Sequence, residues 1–287
     1  MPRFRFISIQ HLVLLMALTS MAVSPLVFAQ PIDDDAWHFN VGMGVIAQPK
    51  YPGSNETRTG VMPVFNATKG RFQIGALAGA GVPFGVSYTL IQEGPWRLGL
   101  GIGTGLGNSR TANEGTALSS LGEIKQTTLG AVSGSYSVGA VSASASIIRD
   151  IGGHQQGTLG LVDVMFNTRP MEKWVLSAGP GMTLMDGQYA QTYYGVTAAQ
   201  SASSGYGTYK AAAGINALRF GASANYEISR EWSLGAKLSV SKLQGDAANS
   251  PTVKNGAQTS YGLFANYRFW SFVEFTVIFQ AISKLSL

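Results

Sequence analysis

Apolar and polar residues alternate with period two over long stretches of this chain. In Trp37-His38-Phe39-Asn40-Val41-Gly42-Met43-Gly44-Val45 every odd position is apolar and every even one is polar or glycine. Trp96-Arg97-Leu98-Gly99-Leu100-Gly101-Ile102-Gly103 repeats the rule, as does the run from Leu218 to Ile228. Tyr261-Gly262-Leu263-Phe264-Ala265-Asn266-Tyr267-Arg268-Phe269 follows it with one exception, Phe264. Successive side chains of a strand point to opposite faces, so each run is a strand with one apolar and one polar face. The pattern predicts strands at 37–48, 60–67, 72–79, 84–92, 96–104, 124–136, 138–149, 154–168, 174–185, 217–228, 232–243 and 260–269. The segment 124–136 alternates poorly, and 209–216 could add another short strand.

A soluble sandwich would share this period, with its apolar faces turned inward. Two features favour a membrane barrel. The polar face is mostly Gly, Ser and Asn, which suits a barrel interior better than a water-facing sheet. Aromatic residues mark strand ends, at Trp37, Trp96, Trp174, Trp232, Tyr261 and Phe269, where interfacial girdles belong. The predicted connections alternate long and short, with 49–59, 105–123, 186–216 and 244–259 as the long ones. Outer-membrane barrels pair long extracellular loops with short periplasmic turns. The expected fold class is therefore all-β: a transmembrane antiparallel up-and-down barrel of about 12 strands, within a range of 10–14. Both termini then lie in the periplasm.

Composition agrees. Only 12% of residues are charged and 45% are hydrophobic, whereas a soluble surface needs roughly a quarter to a third charged residues. The net charge of +5 is not gathered in any Lys/Arg cluster, which argues against nucleic acid as a partner. Cysteine is absent, excluding a disulfide framework and a thiolate nucleophile. Residues 1–29 read as a cleaved signal peptide: Arg3 and Arg5 precede a short apolar core, and Val27-Phe28-Ala29 offers a cleavage site before Gln30. The barrel then occupies 30–269, and 270–287 form an atypical hydrophobic extension outside the core barrel.

Several segments resemble the MipA/OmpV family of Gram-negative outer-membrane proteins. They are Tyr51-Pro52-Gly53-Ser54-Asn55 with Arg58 and Pro63, Arg149-Asp150 with Gly153-His154, Tyr193-Tyr194-Gly195-Val196-Thr197 with Gln200-Ser201, Tyr209-Lys210-Ala211-Ala212-Ala213-Gly214, and Leu243-Gln244-Gly245-Asp246-Ala247-Ala248-Asn249-Ser250-Pro251. The resemblance implies a non-enzymatic barrel. One member is thought to scaffold a lytic transglycosylase and a bifunctional murein synthase; others are described as porin-like, adhesive or immunogenic. It singles out Tyr51, Gly53, Ser54, Arg149, Asp150, His154, Tyr194, Gly195, Gly245 and Asp246 as loop positions of interest. Family members end near Tyr267-Arg268-Phe269, and this chain continues beyond that point.

Catalytic chemistry finds little support in the residues. His154 follows Asp150 by four positions, with Ser144 and Ser146 on the preceding strand. A nucleophile needs a base within hydrogen-bond reach and a third group to orient that base, and no serine is aimed at His154 by the pattern. Arg149-Asp150 reads more simply as a brace for its hairpin. His38 falls on the polar face of the first strand. One mature histidine near one carboxylate is too little for a metal site, and no cofactor is expected. The alternation sends Arg97, Asp163, Arg219, Glu227, Lys237 and Arg268 into the lumen. Such charges must be paired or wet, which leaves two readings: a plugged lumen with arginine–acid pairs, or a mildly basic pore favouring anions. The Tyr-, Ser- and Ala-rich loop 186–216 could fold inward as a constriction. The outer loops are expected to hold Lys50, Arg58, Arg110, Lys210, Lys242 and Lys254, within reach of lipopolysaccharide phosphates as outer-membrane lipid partners.

Overall fold

The structure is a computed structural model that describes residues 36–77, 81–105 and 118–269. Twelve strands follow one another around a single closed antiparallel barrel. They are β1 (His38–Pro49), β2 (Thr57–Lys69), β3 (Phe72–Leu77), β4 (Val82–Glu93), β5 (Trp96–Thr104), β6 (Thr128–Val138), β7 (Val141–Asp150), β8 (Thr158–Met171), β9 (Trp174–Met185), β10 (Gly214–Glu227), β11 (Trp232–Leu243) and β12 (Ala257–Phe269). Closure comes from β1 and β12, in register from Phe39 against Phe269 to Ala47 against Tyr261. Among the described residues no strand of the barrel lacks a neighbour on either side, which is what lipid demands of a sheet.

The alternation sorts side chains between lipid and lumen as the sequence implies. Met43, Ile147, Phe166 and Leu263 all face outward and stay more than half exposed, which is the apolar belt of a membrane barrel. At the periplasmic end, rings meet across strand pairs: Phe72 with Tyr88, Trp96 with Tyr136, Trp174 with Tyr226 and Trp232 with Tyr267. Each pair adds about 0.5–1.5 kcal/mol beyond area burial and pins the register of its hairpin. The β1/β12 seam carries its own cluster, with Phe39, Ala67 and Phe269 buried.

Where the predicted strands and the structure differ, the cause is local. The poorly alternating 124–136 is split: β6 starts at Thr128, and Ser119–Leu121 forms a short 3-10 turn in the preceding loop. The segment 209–216 does not form an extra barrel strand. Tyr209 pairs only with Val196 in an isolated bridge inside a loop, and β10 begins at Gly214. In β4 the register shifts between Thr89 and Ile91, so Leu90 and Ile91 both lie exposed; a bulge absorbs the two consecutive apolar residues. The proposed strand 72–79 ends at Leu77, and its last two positions fall outside the described residues. The leader 1–29, Arg110 and the extension 270–287 also lie outside them.

Candidate functional site: a capped lumen

The lumen has two unlike halves. At the extracellular ends of the strands the inward positions are apolar: Leu77, Val82, Leu129, Ile148, Leu159, Leu161, Met185, Ala217 and Leu243 are all buried. Towards the periplasm they turn polar. On β6 and β7, Ser133 faces Ser146 and Ser135 faces Ser144 in register. An apolar ring inside a barrel needs something apolar to fill it, and the loop between β9 and β10 does so.

That loop carries helices α1 (Gly187–Tyr194) and α2 (Ala198–Ser204). Asp186 caps α1, its Oδ1 accepting from the Tyr189 amide at 2.7 Å, as an N-cap residue should. Burial raises the Asp186 carboxyl, but backbone donors from Tyr189 and Thr158 outweigh it, and its pKa falls below the ordinary value. Tyr189, Ala190, Tyr193 and Tyr194 are buried and pack on the apolar ring. Two of the hydroxyls are met: Tyr193 donates to Gln156 Oε1 at 3.0 Å, and Tyr194 to Asn216 Oδ1 at 2.8 Å. Desolvation holds the Tyr194 phenol well above its usual pKa, so it stays a donor. Gly157 allows the close approach. Its φ is +83°, and a Cβ there would lie 2.2 Å from the Tyr189 amide nitrogen; both facts select glycine.

The other loops lock onto this hairpin. Thr197 and Gln200 form a capping box at the start of α2. Gln200 Nε2 donates to the Leu121 carbonyl at 2.7 Å, and Ser203 Oγ donates to that of Ser120 at 3.0 Å. Helix α3 (Gly245–Asn249) lies in the loop between β11 and β12. Its Asp246 accepts from the Ala212 amide at 2.8 Å, while Tyr209 donates to the Asp246 carbonyl at 3.0 Å.

All the loop positions singled out in the sequence except Arg149 are gathered in this cap or in the loop after β7 that braces it. Tyr51 is buried beside Leu118, Leu121 and Val196. Gly53 has φ +93° against Val253, and its carbonyl accepts from the Lys254 and Asn255 amides at 2.7 and 2.9 Å. Gln258 joins it to Ser54, accepting from the Gly53 amide and donating to the Ser54 carbonyl, each at 3.2 Å. The Tyr194 carbonyl accepts from Ser250 Oγ at 2.6 Å. Gly195 closes α1, its amide reaching the Gln191 carbonyl at 3.0 Å. Gly245 turns the chain into α3 with φ +48°.

Asp150 braces the loop after β7, accepting from Thr127 Oγ1 at 2.6 Å and from the Gly152 and Gln156 amides at 2.9 and 2.8 Å. His154 Nδ1 lies 3.1 Å from the same Thr127 hydroxyl. Arg149 does not share the brace. It follows outward-facing Ile147 on β7, pairs in register with Gly130 and is exposed on the opposite face from Asp150. Strand alternation makes that separation unavoidable for adjacent residues. Among the described residues no three of His, Cys, Asp and Glu are grouped to hold a metal.

Below the cap, Asp163 accepts from Arg219 at 2.9 Å. These residues sit on β8 and β10, with Gly181 of β9 in register between them. A Cβ on Gly181 would lie 2.1 Å from the Asp163 carboxylate, so glycine clears the path of the ion pair. At the periplasmic rim Glu227 pairs with Arg169 at 3.4 Å, and Arg97 donates to Gln92 Oε1 at 2.9 Å. Arg268, also inward by alternation, is exposed near the end of β12. Lys237 lies at mid-height with its Nζ 5.5 Å from the Phe264 ring centre.

Sequence reasoning missed Gly157, Gly181, Gln156, Asn216 and Gln258, which carry no motif of their own. Phe264 had a signal: it alone broke the alternation of β12, because it faces the lumen and is buried there. Of the basic loop residues, Lys50 pairs with Glu56 and Lys254 Nζ lies 5.0 Å from the Tyr206 ring. Arg58 belongs to β2, opposite Gln48, rather than to a loop.

A closed twelve-strand cylinder with an apolar outer belt and a polar interior is an outer-membrane β-barrel protein. The chain matches the family described as MltA-interacting protein MipA over residues 41–269 and belongs to that family. Comparison with curated proteins gives no match. Among solved structures, OmpT, an outer membrane protein of Vibrio cholerae, is 10% identical, with 81% of this chain and 96% of that chain covered and a TM-score of 0.38. The outer membrane channel DcaP of Acinetobacter baumannii is 11% identical, with coverage of 81% and 96% and a TM-score of 0.38. The NanC porin is 9% identical, with coverage of 80% and 98% and a TM-score of 0.40.

Proposed function

We propose that this protein is a non-catalytic outer-membrane scaffold, a non-conducting barrel that holds murein-hydrolysing and murein-synthesising enzymes at the inner surface of the membrane. The observation that carries the closed state is the seat of α1: four of its residues are buried in the apolar ring of the extracellular half. A solute path would have to break that core. The link to a lytic transglycosylase rests on the family description, MltA-interacting protein, and the synthase follows from the resemblance. The periplasmic turns are short, so a partner would meet charged turn residues such as Lys173, Arg230 and Glu231 and the rim of the lumen.

Pull-down from solubilised envelopes tests this. The intact barrel is expected to retain a lytic transglycosylase, and swapping turns 169–173 and 229–231 is expected to release it. Failure of the intact barrel to retain any murein enzyme would overturn the scaffold; unchanged retention by the swapped form would overturn docking at these turns. The same reading has the chain exported through 1–29, so the mature protein would begin at Gln30. Exposed Arg149 and Lys242 on the outer face near the extracellular rim suit contact with lipopolysaccharide phosphates.

A further inference from the structure

Among the described residues the lumen carries more positive than negative charge, and the two inward acids, Asp163 and Glu227, are engaged. Asp163 is held by Arg219 and Glu227 by Arg169. Lys237 stands apart. Its Nζ is buried with no hydrogen-bond acceptor among the described residues, and its neighbour is the face of Phe264 at 5.5 Å. A ring face offsets part of the cost of a desolvated ammonium, but accepts none of its three N–H donors in the way an oxyanion does.

The surroundings of Lys237 are built from small polar residues. In register beside it stand Ser223 of β10 and Gly262 of β12. One lumenal step further towards the cap, Ser239 lies between Gly221 and Ser260. A Cβ added at Gly221 would meet nothing within 4 Å, so there is free space on the lumenal side of β10 next to Ser239. An ammonium, three serine hydroxyls and open volume make a donor-rich pocket with no carboxylate of its own. The flexible stem of lysine lets its ammonium leave the ring face for a better partner.

We propose that Lys237, with Ser223, Ser239 and Ser260, forms a lumenal binding site for a small oxyanionic group, a carboxylate or phosphate, entering from the periplasmic mouth. The cap closes the other end, so the site is a blind pocket rather than a station in a channel. It stands independently of murein-enzyme docking.

The test is calorimetric titration of the purified, folded full barrel with inorganic phosphate and, separately, with succinate. At least one is expected to bind saturably and to weaken as salt rises. Lys237→Met is expected to reduce affinity at least tenfold, with Lys237→Arg retaining most of it. Gly221→Leu, whose Cβ position is free of neighbours and whose side chain would occupy the space next to Ser239, is expected to abolish binding while leaving heat-modifiable gel mobility unchanged. Absence of saturable binding of both anions to the intact barrel would overturn the site, as would equal binding by Lys237→Met or by folded Gly221→Leu.

Discussion

The extracellular and periplasmic halves of this lumen use the same inward strand positions for opposite ends. In the upper half those positions are Leu129, Ile148, Leu159, Leu161 and Met185, and they bury the rings of α1. In the lower half they are mostly serines, glycines, asparagines and charges, with the Phe264 ring buried among them. The upper half is a dry core of the kind that stabilises soluble domains. The lower half is held by hydrogen bonds and two cross-strand ion pairs, Asp163 with Arg219 and Glu227 with Arg169, over a wall whose stability comes from the ladder. One loop thus completes an apolar core at one end of the lumen, while the inward positions at the other end stay polar.

The largest expected effect comes from removing what makes the halves differ. Replacing 187–213 by a short Gly-Ser link should leave the twelve strands paired and open the upper half, and liposome-swelling rates should rise from background to those of a pore. Next is the pair of Asp163 with Arg219 in the lower half. Asp163→Ala leaves Arg219 without its carboxylate and should destabilise the barrel by about 3 kcal/mol, read as a lower temperature for the heat-induced mobility change. Gly181→Val should mimic it, because its side chain would occupy the path of the pair. Tyr194→Phe in the cap should cost about 1–2 kcal/mol by leaving Asn216 unsatisfied, with exchange of the α1 amides accelerating before that of the strands.

The smallest effect is in pH. The Asp186 carboxyl titrates lower in the folded cap than its ordinary value of 3.8. Its stabilisation is therefore complete above that value and is lost as pH falls through the lower folded pKa. Protection of the Tyr189 amide should fall in that acid window. Asp186→Asn, which still caps, should change little at neutral pH and flatten the dependence.

The wall was legible in the sequence because the period of a strand is two and lipid allows no exceptions on the outer face. Trp96–Thr104, Trp174–Met185 and Trp232–Leu243 are bounded as the alternation places them. The blurred places are those where inside and outside are both apolar. Ahead of Leu129 the chain packs against the cap, so alternation fades and β6 starts late. The cap's position in the lumen was less legible, since loop 186–216 shows only aromatic richness and a capping-box spacing at Thr197 and Gln200. Long-range pairings such as Gln258 with Gly53, or Asp163 with Arg219 across Gly181, depend on which strands become neighbours. No local pattern encodes that. Arg149 and Asp150 show the limit from the other side: adjacency in sequence suggested a shared task, and strand geometry divided them.

Single-channel recording in planar bilayers tests the capped lumen most directly. Purified full-length barrel, incorporated in amounts confirmed by its heat-modifiable band, is expected to give no steady conductance at either polarity. A stable ohmic current from the intact protein, unaltered by removal of 187–213, would contradict it.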